Sequence, residues 1–175
     1  MQLNLIKHIN MNKIAIYVES LKKKKFSNER LLNDKEILIA KFLVIKKYPK
    51  VKVVEISKED FKGMLNEEAN MLLKRFNLVK DTTNAITFDN RIFIFKSDDT
   101  RKTIAHELVH VYQYETLGVD GFVQEYLNES IGKTDKKKIA LEVPAYAFGE
   151  DFKKNGYSVE KMNREKYEFI PDANT

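Results

Sequence analysis

Cysteine is absent from this chain, and with it every disulfide framework and every thiolate metal site. Any metal centre must therefore draw on histidine, aspartate or glutamate. Glycine and proline are scarce, at 6 and 3 residues. No stretch has the composition of a flexible linker or a low-complexity tail, so most of the chain is expected to be ordered. Self-similarity at a period of 20–50 residues is also missing, which argues against a repeat architecture. The start, Met1-Gln2-Leu3-Asn4-Leu5-Ile6-Lys7, lacks the unbroken apolar stretch of a signal peptide. Met11, leading directly into Asn12-Lys13-Ile14, is an alternative start. No segment approaches the roughly 18–20 apolar residues that span a bilayer. The expected location is the cytoplasm, or the outside after export without a classical signal peptide, and no membrane partner is expected.

What remains is 175 residues, 43% hydrophobic and 33% charged, enough for one domain with a real core. Net charge is +5. The lysine runs Lys22 to Lys25 and Lys136 to Lys138 are not interleaved with stacking aromatics, and no nucleic-acid module pattern accompanies them. They read as solvated surface, and no nucleic-acid partner is expected.

Along the chain, Ile14, Ile16 and Val18 alternate from Lys13 to Val18 as in a strand. An apolar-rich helix is expected from Asn33 to about Tyr48, stopped by Pro49. Val51 to Ile56 reads as a strand. Ser57-Lys58-Glu59-Asp60 has the form of a capping box, opening an amphipathic helix with Phe61, Met64, Leu65, Leu72 and Phe76 on one face, broken at Glu68 and ending near Asn77. Ala85 to Phe88 and Arg91 to Phe95 flank Asp89-Asn90 as a β-hairpin. Ser97, Asp98 and Asp99 offer N-caps for a helix from about Thr100 to Leu117, with Gly118 as its left-handed terminator. A short helix from Gly121 to Ile131 and another from Leu141 to Asn155, stopped by Gly156, complete the pattern before a polar tail from Glu160 to Thr175. The order β-α-β-α-β-β-α-α-α predicts a compact α+β domain with helices packed on one small mixed sheet. Its expected portions are an N-terminal α/β part over residues 1–80, a core over 81–156 and a tail over 157–175.

The chemistry concentrates in His106-Glu107-Leu108-Val109-His110. Histidines four apart on a helix stand one turn above the other on the same face, so both imidazoles reach one ion. Glu107 stands beside them, where a carboxylate takes a proton from a metal-activated water. The chain holds only 3 histidines, so chance supplies on the order of 0.005 such patterns in this composition. His8, the remaining one, reads as an ordinary residue of a frayed start. Zinc needs a third protein ligand and an open fourth position. With no histidine downstream and no cysteine, that ligand must be a carboxylate: Glu115, Asp120, Glu125, Glu129, Asp135, Glu142, Glu150 or Asp151. Glu115 points away by helical phase. Glu142 is attractive because Leu141 to Phe148 suits a helix packed closely on the first, provided Pro144 falls in its first turn.

These residues resemble the gluzincin class of metallopeptidases, whose HExxH is followed downstream by a glutamate ligand. In several members that glutamate opens a Glu-x-x-Ala-(Asp/Asn/Tyr) signature, matched here by Glu142-Val143-Pro144-Ala145-Tyr146. A closer similarity is to the short HExxH domain found with extracellular contractile injection systems and in many bacterial proteins. There a hairpin like Ala85-Ile86-Thr87-Phe88…Ile92-Phe93 leads into a helix like Ala105 to Gln113. The resemblance covers about Ala85 to Phe148, and residues 1–80 match nothing. Pro144 stands where relatives often have a second glutamate, and Tyr146 where some gluzincins have an aspartate supporting a histidine.

The resemblance implies a zincin-like metallopeptidase with one Zn²⁺ on His106, His110 and Glu142, Glu107 as general base, and a peptide or protein substrate. An edge strand of the hairpin would align that peptide by strand addition. Tyr146, Tyr157 and Tyr126 are unranked as donors to the developing oxyanion. The alternative is a catalytically silent zinc-binding adaptor or structural module of a larger secretion or injection assembly. Oligomeric state is not encoded in any feature of the chain.

Overall fold

The computed structural model describes residues 13–21, 23–75, 78–95, 98–130 and 135–170. His8, Met11 and Ser97 lie outside them, as do Phe76 and Asn77, Ile131 and the last five residues of the tail.

The first described element is a helix, α1, over residues 13–21, and not the strand that alternation suggests. Ile14, Ala15, Val18 and Leu21 are buried while Ile16 is 69% exposed. That is a 3.6-residue period, and Leu21 is the residue that decides against a period of two. Strand β1 (Glu29–Leu31) follows, then α2 (Asp34–Phe42) behind an Asn33–Glu36 capping box.

Helix α2 stops well before Tyr48. Val44 takes φ 62°, and the Ile45 and Val44 amides return to the Ala40 and Lys41 carbonyls at 2.9 and 3.0 Å, a Schellman closure. The reversal buries both Leu43 and Ile45 and leaves Val44 exposed. Core burial outweighs the strain of a β-branched residue in the left-handed region.

Strand β2 (Lys52–Glu55) leads into α3 (Lys58–Gly63), capped by Ser57, and α4 (Glu67–Arg75). The single helix expected here is two. Asn66 caps the second by accepting from the Ala69 amide at 2.8 Å, and Asn70 bonds back to the Lys62 carbonyl at 2.9 Å. The break precedes Glu68, which lies inside α4. The hairpin β3 (Ala85–Phe88) and β4 (Arg91–Ile94) turns at Asp89, φ 55°. Helix α5 (Thr100–Ser130) carries a kink at Gly118, and α6 (Glu142–Lys154) ends at Asn155 and Gly156. A 3-10 turn at Arg164–Lys166 lies in the C-terminal segment.

The sheet order is β1-β2-β4-β3, with β2 and β4 parallel and the outer pairs antiparallel, so the fold is mixed α/β on a small mixed sheet. Alternation sends Val54, Phe88 and Phe93 into one core cluster with α1, α3 and α4. Val53, Ala85, Ile92 and Ile94 enter the other with α2, the first half of α5 and α6. Helices thus cover both faces. No helix among the described residues is long and apolar enough to cross a membrane.

Beyond Gly118 (φ 72°, ψ 171°) α5 continues into the first cluster, where Phe122, Val123, Tyr126 and Leu127 join Tyr114. This backbone region is open essentially to glycine alone. No side chain crowds the position. Gly118→Ala should therefore cost about 1–3 kcal/mol through backbone strain alone. Denaturant unfolding checks this; a parent-like midpoint would show that the kink tolerates a Cβ.

Candidate metal centre

Three requirements converge at the contact of α5 with α6. Apolar Ile104, Leu108 and Val111 bury one stripe of α5, which orients the adjoining His106–His110 face toward the neighbouring helix. On α6, Glu142, Ala145 and Gly149 share a face by helical spacing. Ala105 and Ala145 are fully buried, and a Cβ on Gly149 would lie 3.4 Å from the Lys102 carbonyl and 3.6 Å from the His106 Cβ. Small residues let the helices approach closely enough for a short carboxylate arm to reach both imidazoles. Pro144 sits in the first turn of α6, where its missing N–H costs nothing, and Glu142 opens the helix, where the dipole favours a carboxylate.

His106 Nε2 lies 3.1 Å from His110 Nε2 and 3.2 Å from Glu142 Oε2, and His110 Nε2 lies 3.5 Å from the same oxygen. Ligands of a tetrahedral ion at ~2.0–2.2 Å stand about 3.3–3.5 Å apart, close to this triangle. The remaining polar atoms are committed elsewhere. Tyr126 donates its hydroxyl to Glu142 Oε1 at 2.7 Å, and Gln113 Oε1 lies 2.7 Å from His110 Nδ1. Gln113 Nε2 donates to two carbonyls, so its Oε1 is an acceptor and His110 carries its proton on Nδ1. The His110 Nε2 lone pair then faces the histidine nitrogen and Glu142 Oε2, a buried oxygen without a hydrogen-bond partner. Convergent buried acceptors repel unless a cation lies among them. The His-His-Glu group is close enough to bind a metal ion.

Burial works against a charged His110, yet the Glu142 carboxylate above all, with Glu107 and Gln113, raises its pKa above 6.5. Glu142 shows the reverse: burial opposes its charge, and His110 and His106 together hold it well below 4.5. In the metal-free protein the raised His110 contributes stability that is complete below its unfolded pKa near 6.5 and is lost as pH rises through the folded value. The depressed Glu142 contributes stability complete above 4.5 and lost as pH falls through its folded value. Both contributions are whole only between these two limits. A metal requires the same His110 neutral, so affinity for a divalent ion should fall about tenfold per pH unit below that raised pKa. Competition with a chromophoric chelator from pH 5.5 to 8.5 measures it; a flat profile would remove His110 from the ligand set.

Glu107 is buried one residue past His106, and Thr87 of β3 donates to its Oε2 at 2.7 Å. A cleft of about 470 Å³ opens on this group, lined by His106, Glu107, His110 and Glu142 together with β3 and the second half of α5. Of the three tyrosines, Tyr126 is held by Glu142, and Tyr157 donates to Asp99 at 2.5 Å beside the start of α5. Tyr146 lines the cleft with its ring 4.6 Å from that of His106, and its hydroxyl is pushed up to about 12 by burial and by the Glu142 and Glu107 charges.

None of the other downstream carboxylates joins the group among the described residues. Glu115 accepts the Lys46 and Lys47 amides at 2.7 and 2.9 Å, Glu150 pairs with Lys102, and Asp151 pairs with Lys166. Asp135 accepts the Lys137 amide, and Asp120 and Glu125 are exposed. Sequence reasoning missed Thr87 and Gln113. The latter had a signal, since a position three after His110 shares its helix face. No family model, curated protein or solved structure matches this chain.

Proposed function

We propose that this protein is a zinc-dependent metallopeptidase with a zincin-like domain. The observation that carries the reading is the convergence of His106, His110 and Glu142 at one point of a cleft that also holds Glu107. Two imidazoles and a carboxylate suit Zn²⁺, whereas Mg²⁺ and Ca²⁺ favour all-oxygen sets. Three protein ligands beside a cleft leave a position open, the arrangement of a catalytic rather than a structural site. Zinc held there would supply Lewis-acid polarisation of a carbonyl and would lower the pKa of a bound water to roughly 7.

The chain's own groups do the rest. Glu107, steadied by Thr87, accepts the proton of the attacking water and passes it to the leaving nitrogen. Tyr146 stays protonated and donates to the oxygen that gains charge. Strand β3 is an edge of the sheet. The Phe95 amide bonds to the Asn84 carbonyl at 2.8 Å, so by antiparallel alternation Ala85 and Thr87 turn their backbone groups outward. An extended peptide pairing with them would lie along the cleft that β3 lines. Ile86, Phe88, Phe122, Val123 and Leu127 make part of that cleft apolar, favouring substrates with a bulky apolar residue beside the scissile bond.

The test is one equivalent of zinc per chain together with cleavage of peptides bearing Leu or Phe, slowed about 10²–10⁴-fold by Glu107→Gln. Tyr146→Phe should lower kcat about 10²–10³-fold with KM and zinc content unchanged. An unaltered kcat in that variant would assign the oxyanion to another donor.

A further inference from the structure

Gln113 is fully buried, and its carboxamide uses every donor and an acceptor. Its Oε1 meets His110 Nδ1 at 2.7 Å. Its Nε2 donates to the Leu141 carbonyl, one residue before Glu142, and to the Phe169 carbonyl, both at 2.8 Å. Phe169 belongs to a segment, residues 157–170, that takes no part in lining the cleft. That segment grips both metal-bearing helices from outside. The Phe169 ring packs on Tyr112 of α5 at 5.7 Å and on Phe148 of α6 at 5.8 Å. Tyr167 and Lys166 bond Asp151 of α6 at 2.9 and 2.7 Å.

We propose that Gln113 is a positioning residue that makes the C-terminal segment part of the metal centre, so that zinc occupancy and docking of residues 157–170 are coupled. The inference rests on the zinc reading of the site. Docking supplies one of the two carbonyls that hold the amide with its oxygen toward His110. With Phe169 withdrawn, a buried N–H loses its acceptor and the amide is free to turn. His110 then loses the partner that keeps its proton on Nδ1, and the Nε2–H tautomer cannot ligate an ion. Linkage makes the effect reciprocal: zinc, which requires the Nδ1–H tautomer, tightens the docked segment by the factor by which docking raises zinc affinity.

The experiment compares hydrogen exchange of the full chain, metal-free and with ZnCl₂. Zinc is expected to slow exchange across residues 164–170 as well as in α5 and α6, and a His110 Nδ1–H resonance should be visible by NMR. Gln113→Leu should weaken zinc binding about 10–100-fold and lose that resonance. Gln113→Glu keeps an acceptor for Nδ1–H but donates to neither carbonyl. It should hold the resonance and lose the zinc-dependent protection of 164–170, a separation that a merely structural role would not produce. Stoichiometric zinc binding with unchanged exchange over 164–170 in the parent protein would overturn the coupling, even if the variants fail to fold. Absence of zinc binding by the parent would overturn the zinc reading and the coupling with it.

Discussion

Glu107→Gln is expected to bind zinc like the parent and to cleave peptides about 10²–10⁴-fold more slowly, the usual worth of a positioned general base. The substitution preserves shape and leaves the amide oxygen able to accept the Thr87 hydroxyl that now bonds Oε2. It changes one property, the capacity to take up a proton. Glu107 belongs to neither the ligand triangle nor the polar network around it, so metal content should hold. Single-turnover cleavage and metal analysis of the same preparation separate the two effects. A catalytically silent zinc module makes the opposite claim, since Glu107 then serves only to link α5 to β3 and the amide serves as well. Parent-like behaviour of the variant in every assay would favour that module and sink the peptidase.

Glu142→Gln should lose zinc and keep its fold. Zinc centres with four ligands are worth about 10–16 kcal/mol, so one ligand carries roughly 2.5–4 kcal/mol, or about 10²–10³-fold in affinity. The amide oxygen can still accept from Tyr126, as Oε1 does at 2.7 Å. Its NH₂ would stand where Oε2 now lies, 3.2 and 3.5 Å from the two imidazole nitrogens, and would donate to lone pairs that otherwise face one another. The metal-free variant is expected to fold, but to unfold more readily than the metal-free parent, because the neutral amide forgoes the stability that the depressed carboxylate contributes above 4.5. Equilibrium dialysis and thermal unfolding of both proteins test the pair of claims. Undiminished zinc affinity would remove Glu142 from the ligand set.

Some of this was legible in the linear pattern because it depends on neighbours in the chain. The hairpin at Asp89-Asn90, the break at Gly118 and the end of α6 at Gly156 follow from backbone preferences of single residues. Other elements turned on partners distant in sequence. Ile14, Ile16 and Val18 fit a strand as well as a helix until a core is present to receive Leu21 and leave Ile16 outside. The early end of α2 likewise depends on what Leu43 and Ile45 can bury against.

The site divides in the same way. Helical spacing alone puts His106 and His110 on one face with Glu107 beside them, because four residues make about one turn. That much the sequence determined by itself. Which of eight carboxylates completes the group, that Tyr126 is bound to Glu142 while Tyr146 lies beside His106, and that Gln113 and the Phe169 carbonyl stand behind His110 were decided by tertiary structure alone. The physical reason is the close approach of α5 and α6 over Ala105, Ala145 and Gly149, a property of two surfaces fitting together that no single segment carries.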